Sequence, residues 1–309
     1  VTIQKPAHRL GIALISPGGF APEPEAIPRG IARLEAQGIL VHNYYKHEER
    51  HQRFAATDAE RLAQLEAAAA DPDVQIVMAI RGAYGMTRLL PHIDFERMAA
   101  SGKIFVGYSD VTAFHMGLYA KTGTLSYAGP MFTADFGPAE PDEFTVGDFW
   151  RCLAGPTHAI SGHGAANPRL DVAGTVWGGN LAMIMSLMGT PYFPRIDGGI
   201  MFLEDIAEHP FRVERMLLQL MQAGVLDKQR AIVLGDFSGY RLGPNDNGYD
   251  FDEMLAYVRA TLPVPVLTGL EFGHIARHVT IPFGAQGHLR CDGERWTLTM
   301  SGYPTLKTA

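Results

Sequence analysis

The sequence predicts an α/β protein whose parallel sheet is covered by helices on both faces. Short apolar runs of strand length, such as Leu10–Ile15, Val74–Ile80 and Lys103–Gly107, alternate with longer stretches whose apolar residues recur at helical spacing. Turn residues separate them, with 34 Gly and 20 Pro in 309 residues. A chain of that length fits about two domains and can bury a core without disulfides or metal.

Each element has its own local reason. The first strand, Leu10–Ile15, closes at Ser16-Pro17-Gly18-Gly19. A helix over Ile27–Gln37 places Ile31 and Leu34 on one face and stops at Gly38. A second helix, near Thr57–Ala70, is capped by Thr57 or Asp58, with Leu62 and Leu65 inward. Strand Val74–Ile80 ends at Arg81-Gly82-Ala83-Tyr84-Gly85, and strand Lys103–Gly107 feeds a helix over Val111–Ala120. Residues 135–171 are rich in Gly, Pro and acids and read as a crossing between domains, with one helix near Phe144–Leu153. A second alternation follows: strand Gly174–Trp177, helix Leu181–Met188, strand Gly199–Leu203 and a helix over Pro210–Ala223. Pro210 suits a first helical turn, where its missing N–H is not needed. Strand Ala231–Leu234, helix Phe251–Thr261 and strand Val264–Leu267 come next, and the tail over His278–Met300 reads as strands turning at Gly284, Gly287 and Asp292-Gly293. The domains are expected at 1–140 and 172–309, joined by a crossing over 141–171.

Composition narrows the function classes. Net charge is −7, with 19% charged and 47% hydrophobic residues, an ordinary globular balance. It lacks the basic stripe of a nucleic-acid binder. No apolar run reaches the roughly 18 residues of a membrane span. Val1-Thr2-Ile3-Gln4-Lys5 shows no signal-type start, so a cytoplasmic protein is expected. Two cysteines, Cys152 and Cys291, make no disulfide framework. Neither nucleotide fingerprint, G-x-G-x-x-G after a strand or G-x-x-x-x-G-K-[ST], is present, and no cofactor is expected.

Three strand ends carry candidate chemistry. In Gly107-Tyr-Ser109-Asp110-Val111 a serine follows a strand and opens a helix, as in a nucleophile elbow, although the final Gly of G-x-S-x-G is missing. Ser109 or Asp110 would serve equally as a helix cap. In Leu203-Glu204-Asp205 two acids follow a buried strand, where α/β sheets place their sites, or cap the helix at Pro210. In Gly269-Leu-Glu-Phe-Gly273-His274 a histidine stands at a sheet edge, suited to accept a serine proton or simply a solvated loop residue. Together, Ser109, Glu204 and His274 supply a nucleophile, an orienting carboxylate and a general base. His47-Glu48-Glu49-Arg50-His51 satisfies H-E-x-x-H, but its setting is charged almost throughout and lacks the apolar face of a zinc helix. No metal site is expected, and the spacing of His274 and His278 reads as chance.

Arg81-Gly82-Ala83-Tyr84-Gly85, Gly107-Tyr-Ser-Asp110, Trp177-Gly-Gly-Asn180-Leu181, Leu203-Glu-Asp205 and Phe272-Gly-His274, in this order and spacing, resemble the LD-carboxypeptidase family of serine peptidases, and the run from Glu204 to Leu220 looks like its cell-wall-recycling branch of Gram-negative bacteria. The resemblance runs from the first strand to the last. It implies a Rossmann-like N-terminal domain, a smaller C-terminal α/β domain with β-barrel character, a site between them, and a cytoplasmic homodimer. It implies Ser109 as nucleophile, Glu204 as acid and His274 as base. The reaction implied removes the terminal D-alanine from a muropeptide tetrapeptide during cell-wall recycling. Backbone N–H groups of Asp110 and of Gly82 or Ala83 are then the oxyanion donors. Ala83 stands where the family usually has a second glycine, and a positive φ there would cost alanine about 1–2 kcal/mol. Arg81, Tyr84 and Asn180 are candidate substrate contacts, with Arg81 or Arg88 as a carboxylate clamp. The alternatives are a microcin-immunity-type hydrolase of aminoacyl-nucleotides and a non-catalytic muropeptide-binding protein.

Overall fold

The computed structural model describes residues 9–306; the start Val1–Lys5, weighed above as a signal sequence, lies outside the described residues. The first sheet contains β1 (Gly11–Ile15), β2 (Leu40–Asn43), β3 (Ile76–Ala79), β4 (Ile104–Gly107) and β5 (Ser126–Ala128). All five are parallel, in the order β5-β4-β3-β1-β2. β1, β3 and β4 are buried along their whole length, as expected of continuous apolar runs under helices on both faces. The helices of this half are α1 (Ala26–Ala36), α2 (Asp58–Ala70), the short α3 (Met86–Leu89), α4 (Phe95–Ala100) and α5 (Thr112–Thr122).

Thr57 caps α2 in a reciprocal box with Glu60. Its inward face differs from the one expected. Arg61, Gln64, Leu65 and Ala68 are buried, whereas Leu62 is half-buried. Polar residues can take that face because each has a partner inside, Gln64 accepting from Ser16 N–H at 2.9 Å.

The segment expected as a crossing contains α6 (Glu143–Ala154) and β6 (Thr157–His163). β6 pairs along its length with a strand of the second half, so this segment contributes to the C-terminal sheet. The second half follows as β7 (Leu170–Asn180), α7 (Leu181–Ser186), β8 (Gly199–Glu204), α8 (Pro210–Gln222), β9 (Gln229–Leu234), α9 (Phe251–Thr261) and β10 (Val266–Leu267). Three tail strands complete it: β11 (Ile281–Phe283), β12 (Gln286–Cys291) and β13 (Arg295–Ser301). Gly287, expected at a turn, lies inside β12, paired with Gly174 and Met300.

The second sheet runs β10-β9-β8-β7-β12-β13-β6, parallel from β10 to β7 and antiparallel beyond. Among the described residues no ladder joins β6 to β10. Trp296 of β13 reaches across instead, its indole N–H donating to Thr268 C=O at 2.9 Å. β11 leaves this half and pairs antiparallel with β5, closing the far edge of the first sheet. The two halves are therefore stitched, and β4, β8 and the 270–275 loop meet where they join.

Gly178 marks how closely β7 and β8 approach. Its φ is +143°, and a β-carbon there would lie 1.8 Å from Phe202 O. Gly178→Ala is expected to destabilise the protein by at least about 2 kcal/mol, through positive φ and overpacking. The midpoint of urea unfolding measures it; an unchanged midpoint would contradict the close approach.

Candidate active site

Ser109 follows β4 after Tyr108 and has φ +59°, a left-handed conformation rare for a residue with a side chain. The turn departs sharply from the strand and lifts the hydroxyl out of the sheet. Neither Ser109 nor Asp110 caps the helix that follows, since no side-chain cap bond is made at the start of the 3₁₀ turn over Ser109–Val111 or of α5. Ser109 Oγ instead lies 3.1 Å from His274 Nε2. On the other side of the ring, His274 Nδ1 lies 2.8 Å from Glu204 Oε2. Glu204 ends β8 and is 0% exposed. The three residues singled out in the sequence thus meet at one place, Ser109 and Glu204 from strand ends and His274 from the loop beyond β10.

Asn180, at the end of β7, is the device behind Glu204. Its amide donates to Glu204 Oε1 at 3.2 Å and to Asp205 Oδ1 at 2.9 Å, while its Oδ1 accepts Met183 N–H as the cap of α7. At 6% exposure it is buried behind the carboxylates, not placed in the open pocket as a substrate contact. Asp205 turns away from His274 and accepts from Ala182 N–H at 2.8 Å and Ile206 N–H at 2.9 Å. Burial pushes its carboxyl up to about 6, opposed by the Ala182 N–H. Burial alone would lower the pKa of His274, but its hydrogen bond to Glu204 and the charge of that carboxylate outweigh this and raise it above 6.5.

The loop Arg81–Gly85 faces Ser109. A β-carbon at Gly82 would lie 2.9 Å from Ser109 Cβ, 3.0 Å from its Oγ and 3.2 Å from Asp110 N, so a side chain there would fill the space in front of the hydroxyl. Ala83 has φ +60°, the costly conformation considered from sequence. Asp110 is buried, and its Oδ2 accepts Met86 N–H at 2.8 Å. Burial pushes its carboxyl up to about 7, opposed by the N–H groups of Met86 and Gly85 and by Arg61. Arg81 donates to Phe20 C=O at 2.9 Å, whereas Arg88 pairs with Asp58 at 2.8 Å. Tyr84 is 42% exposed.

Two contributors carried no sequence signal of their own. Tyr108 lies edge-on to His274, with ring centroids 5.2 Å apart, and at the same separation from His278. His278 is buried and bonded to Asp135 at 3.0 Å, an intramolecular role that its spacing from His274 did not reveal. Tyr108, Asp135, Ile206 and His274 line an open pocket of about 350 Å³. His278 and Asp135 lie 143 residues apart in the chain, so local pattern cannot announce their pairing.

The H-E-x-x-H segment forms a single 3₁₀ turn over His47–Glu49, not a helix. His47 Nδ1 sits 2.7 Å from Tyr45 OH, and His51 lies in an isolated bridge with Phe54. No cluster of three metal-ligating side chains occurs among the described residues.

Residues 12–129 match the LD-carboxypeptidase N-terminal domain, and residues 173–289 the LD-carboxypeptidase C-terminal domain. A crystal structure of muramoyltetrapeptide carboxypeptidase from Oxalobacter formigenes is 48% identical, covers 96% of this chain and 100% of its own, and superposes with a TM-score of 0.91. This chain belongs to the LD-carboxypeptidase family. Relatives in the family carry two kinds of name. Murein tetrapeptide carboxypeptidase of Pseudomonas aeruginosa is 29% identical over 92% of this chain and 94% of its own length. The microcin C7 self-immunity protein of Escherichia coli is 28% identical over 82% of each. The family fold is the two-domain α/β arrangement described above. No helix among the described residues is long and apolar enough to cross a membrane.

His47→Ala is expected to leave turnover within about twofold of wild type, because the half-buried His47 bonds to Tyr45 OH and to none of Ser109, His274 and Glu204. Steady-state rates with and without a chelator measure this together; loss of activity restored by zinc would point to metal chemistry.

Proposed function

We propose that the protein is a serine LD-carboxypeptidase that removes the terminal D-alanine from murein tetrapeptides. The observation that carries the reading is the continuous contact Ser109–His274–Glu204, at 3.1 and 2.8 Å, built on a serine held at positive φ. His274 takes the Ser109 proton as Oγ attacks the carbonyl carbon before D-alanine. Glu204 holds the Nδ1–H tautomer and stabilises the imidazolium that forms. The N–H of Asp110, with that of Gly82 or Ala83, donates to the carbonyl oxygen as negative charge develops on it. His274 then donates its proton to the leaving amine, and D-alanine departs from an acyl-enzyme. Water, deprotonated by His274, attacks the ester, and the tripeptide is released as Ser109 regains its proton.

The pocket beside Tyr108 and Ile206 offers room for the peptide next to His274, and Arg81 is the clamp this reading assigns to the free carboxylate. A cytoplasmic homodimer acting in peptidoglycan recycling belongs to the same proposal. Mass spectrometry of a tetrapeptide incubated with the protein tests it: loss of one alanine supports the carboxypeptidase. An intact tetrapeptide alongside a hydrolysed aminoacyl-nucleotide would identify the immunity-type activity instead.

Ser109→Ala is expected to abolish turnover while leaving the fold intact. Glu204→Gln is expected to lower kcat at least about a hundredfold, since a neutral amide neither steadies the imidazolium nor fixes the tautomer. Asp205→Asn should lose far less, because Asp205 faces Ala182 and Asn180. Rates of variants with wild-type circular dichroism decide this, and a larger loss for Asp205→Asn would move the acid to that position.

The pH profile follows from His274. Its base form disappears as pH falls through a pKa raised above 6.5, so kcat/KM should show an acid limb centred above that value. In Glu204→Gln the supporting charge is gone, and the limb of the residual activity should move to lower pH. A limb that stays in place would separate Glu204 from the ionisation of His274.

A further inference from the structure

The loop in front of Ser109 is held from below by two buried ionisable side chains that the reaction itself does not use. Asp110 Oδ2 accepts Met86 N–H at 2.8 Å, at the end of the 81–86 loop. Its other oxygen, Oδ1, is buried without a hydrogen-bond partner among the described residues, so the carboxyl is held through Oδ2. Arg61, fully buried on α2, donates from one nitrogen to Pro17 C=O and, at 3.1 Å, to Gly85 C=O, so one guanidinium bridges the loops after β1 and β3. Its second nitrogen is tied to Asp58. The two loops are also bonded directly, Gly19 N–H donating to Gly82 C=O at 2.9 Å.

Both ionisable groups are packed to contact against these loops. A β-carbon at Gly18 would lie 3.1 Å from Asp110 Oδ2 and 2.0 Å from Gly82 O. One at Gly85 would lie 2.6 Å from Arg61 Nη1 and 3.0 Å from Gly18 Cα. The same loop brings the Gly82 backbone against Ser109 and Asp110 N–H. Asp110 thus acts twice: its backbone faces the candidate oxyanion position, and its carboxylate fixes the far end of the opposing loop.

We propose that the Asp110 carboxylate and the Arg61 guanidinium are positioning residues that set the 81–86 loop, and with it the second oxyanion donor, at its distance from Ser109 Oγ. The inference rests on the serine-peptidase reading given above. Neither side chain touches substrate. Each acts through the backbone it holds, so its removal should weaken stabilisation of the tetrahedral stage while ground-state binding changes little. A displacement of about 1 Å in such a site costs about a hundredfold.

The test uses the full chain with a murein tetrapeptide and, independently, a fluorophosphonate probe that forms a tetrahedral adduct on a reactive serine. Asp110→Ala is expected to lower kcat by about a hundredfold, with KM within about threefold of wild type and probe labelling slowed in parallel. Asp110→Asn keeps an acceptor for Met86 N–H and should recover at least about tenfold of that loss. Three results would overturn the proposal: a folded Asp110→Ala with kcat within about threefold of wild type, a loss carried by KM, or no recovery in Asp110→Asn. If Asp110→Ala does not fold, Arg61→Lys takes its place. A single ammonium cannot reproduce the guanidinium bridge, so kcat should fall at least about tenfold, and an unchanged kcat overturns the proposal. A wild-type protein that trims no tetrapeptide would refute the carboxypeptidase reading, whereas an active wild type with insensitive variants refutes only the positioning role.

Discussion

A carboxylate with no exposure at all stands at the end of a central strand, and the surrounding structure answers to it. Removing a carboxylate from water is costly unless polar partners replace the solvent. Glu204 has two, the His274 ring on Oε2 and the Asn180 amide on Oε1. Satisfying the first requires the 270–275 loop to lie over the sheet. Satisfying the second requires β7 to end level with β8, which the Asn180–Glu204 register provides. Asp205, beside it, adds a second negative charge, and the N–H groups of Ala182 and Ile206 take up that carboxylate separately. The pair of acids is thereby divided into one that supports a base and one that anchors a helix.

The order of strands and helices was largely legible in the sequence, because buried parallel strands read as unbroken apolar runs. Elements that carry little apolar signal were not. β2 is only half-buried, and β6 alternates exposed and buried residues inside a Gly- and Pro-rich stretch, so neither resembled the core strands. Ser109 and Glu204 were visible because each stands where an apolar strand ends, whereas His274, expected at a sheet edge, lies in the loop seven residues beyond β10. Their contact was not visible, since it joins positions 70 and 165 residues apart. The inward Arg61 escaped for a related reason. Helical spacing favoured Leu62, and it takes Asp58 together with the carbonyls of Pro17 and Gly85, brought in by other loops, to make a buried guanidinium tolerable.

Backbone strain occurs where the reading places chemistry, as it does at four other residues with side chains: Gln52, Ala166, Ala207 and Asn247. Ser109 and Ala83, residues with side chains, both adopt positive φ on facing turns. Such conformations persist when their surroundings over-determine them, and here the backs of both turns are fixed by Asp110 and Arg61. The open pocket beside His274 is bordered by Tyr108 and Ile206.

β11 gives the architecture a property that a simple two-domain chain lacks. Residues 281–283 lie near the C-terminus yet complete the sheet begun at residue 11. A recombinant chimera that exchanged only the C-terminal half would also replace the edge strand of its neighbour and leave Ser126–Ala128 facing a foreign partner. Modular shuffling of the halves is thereby penalised, because the first sheet needs strands from both ends of the described residues.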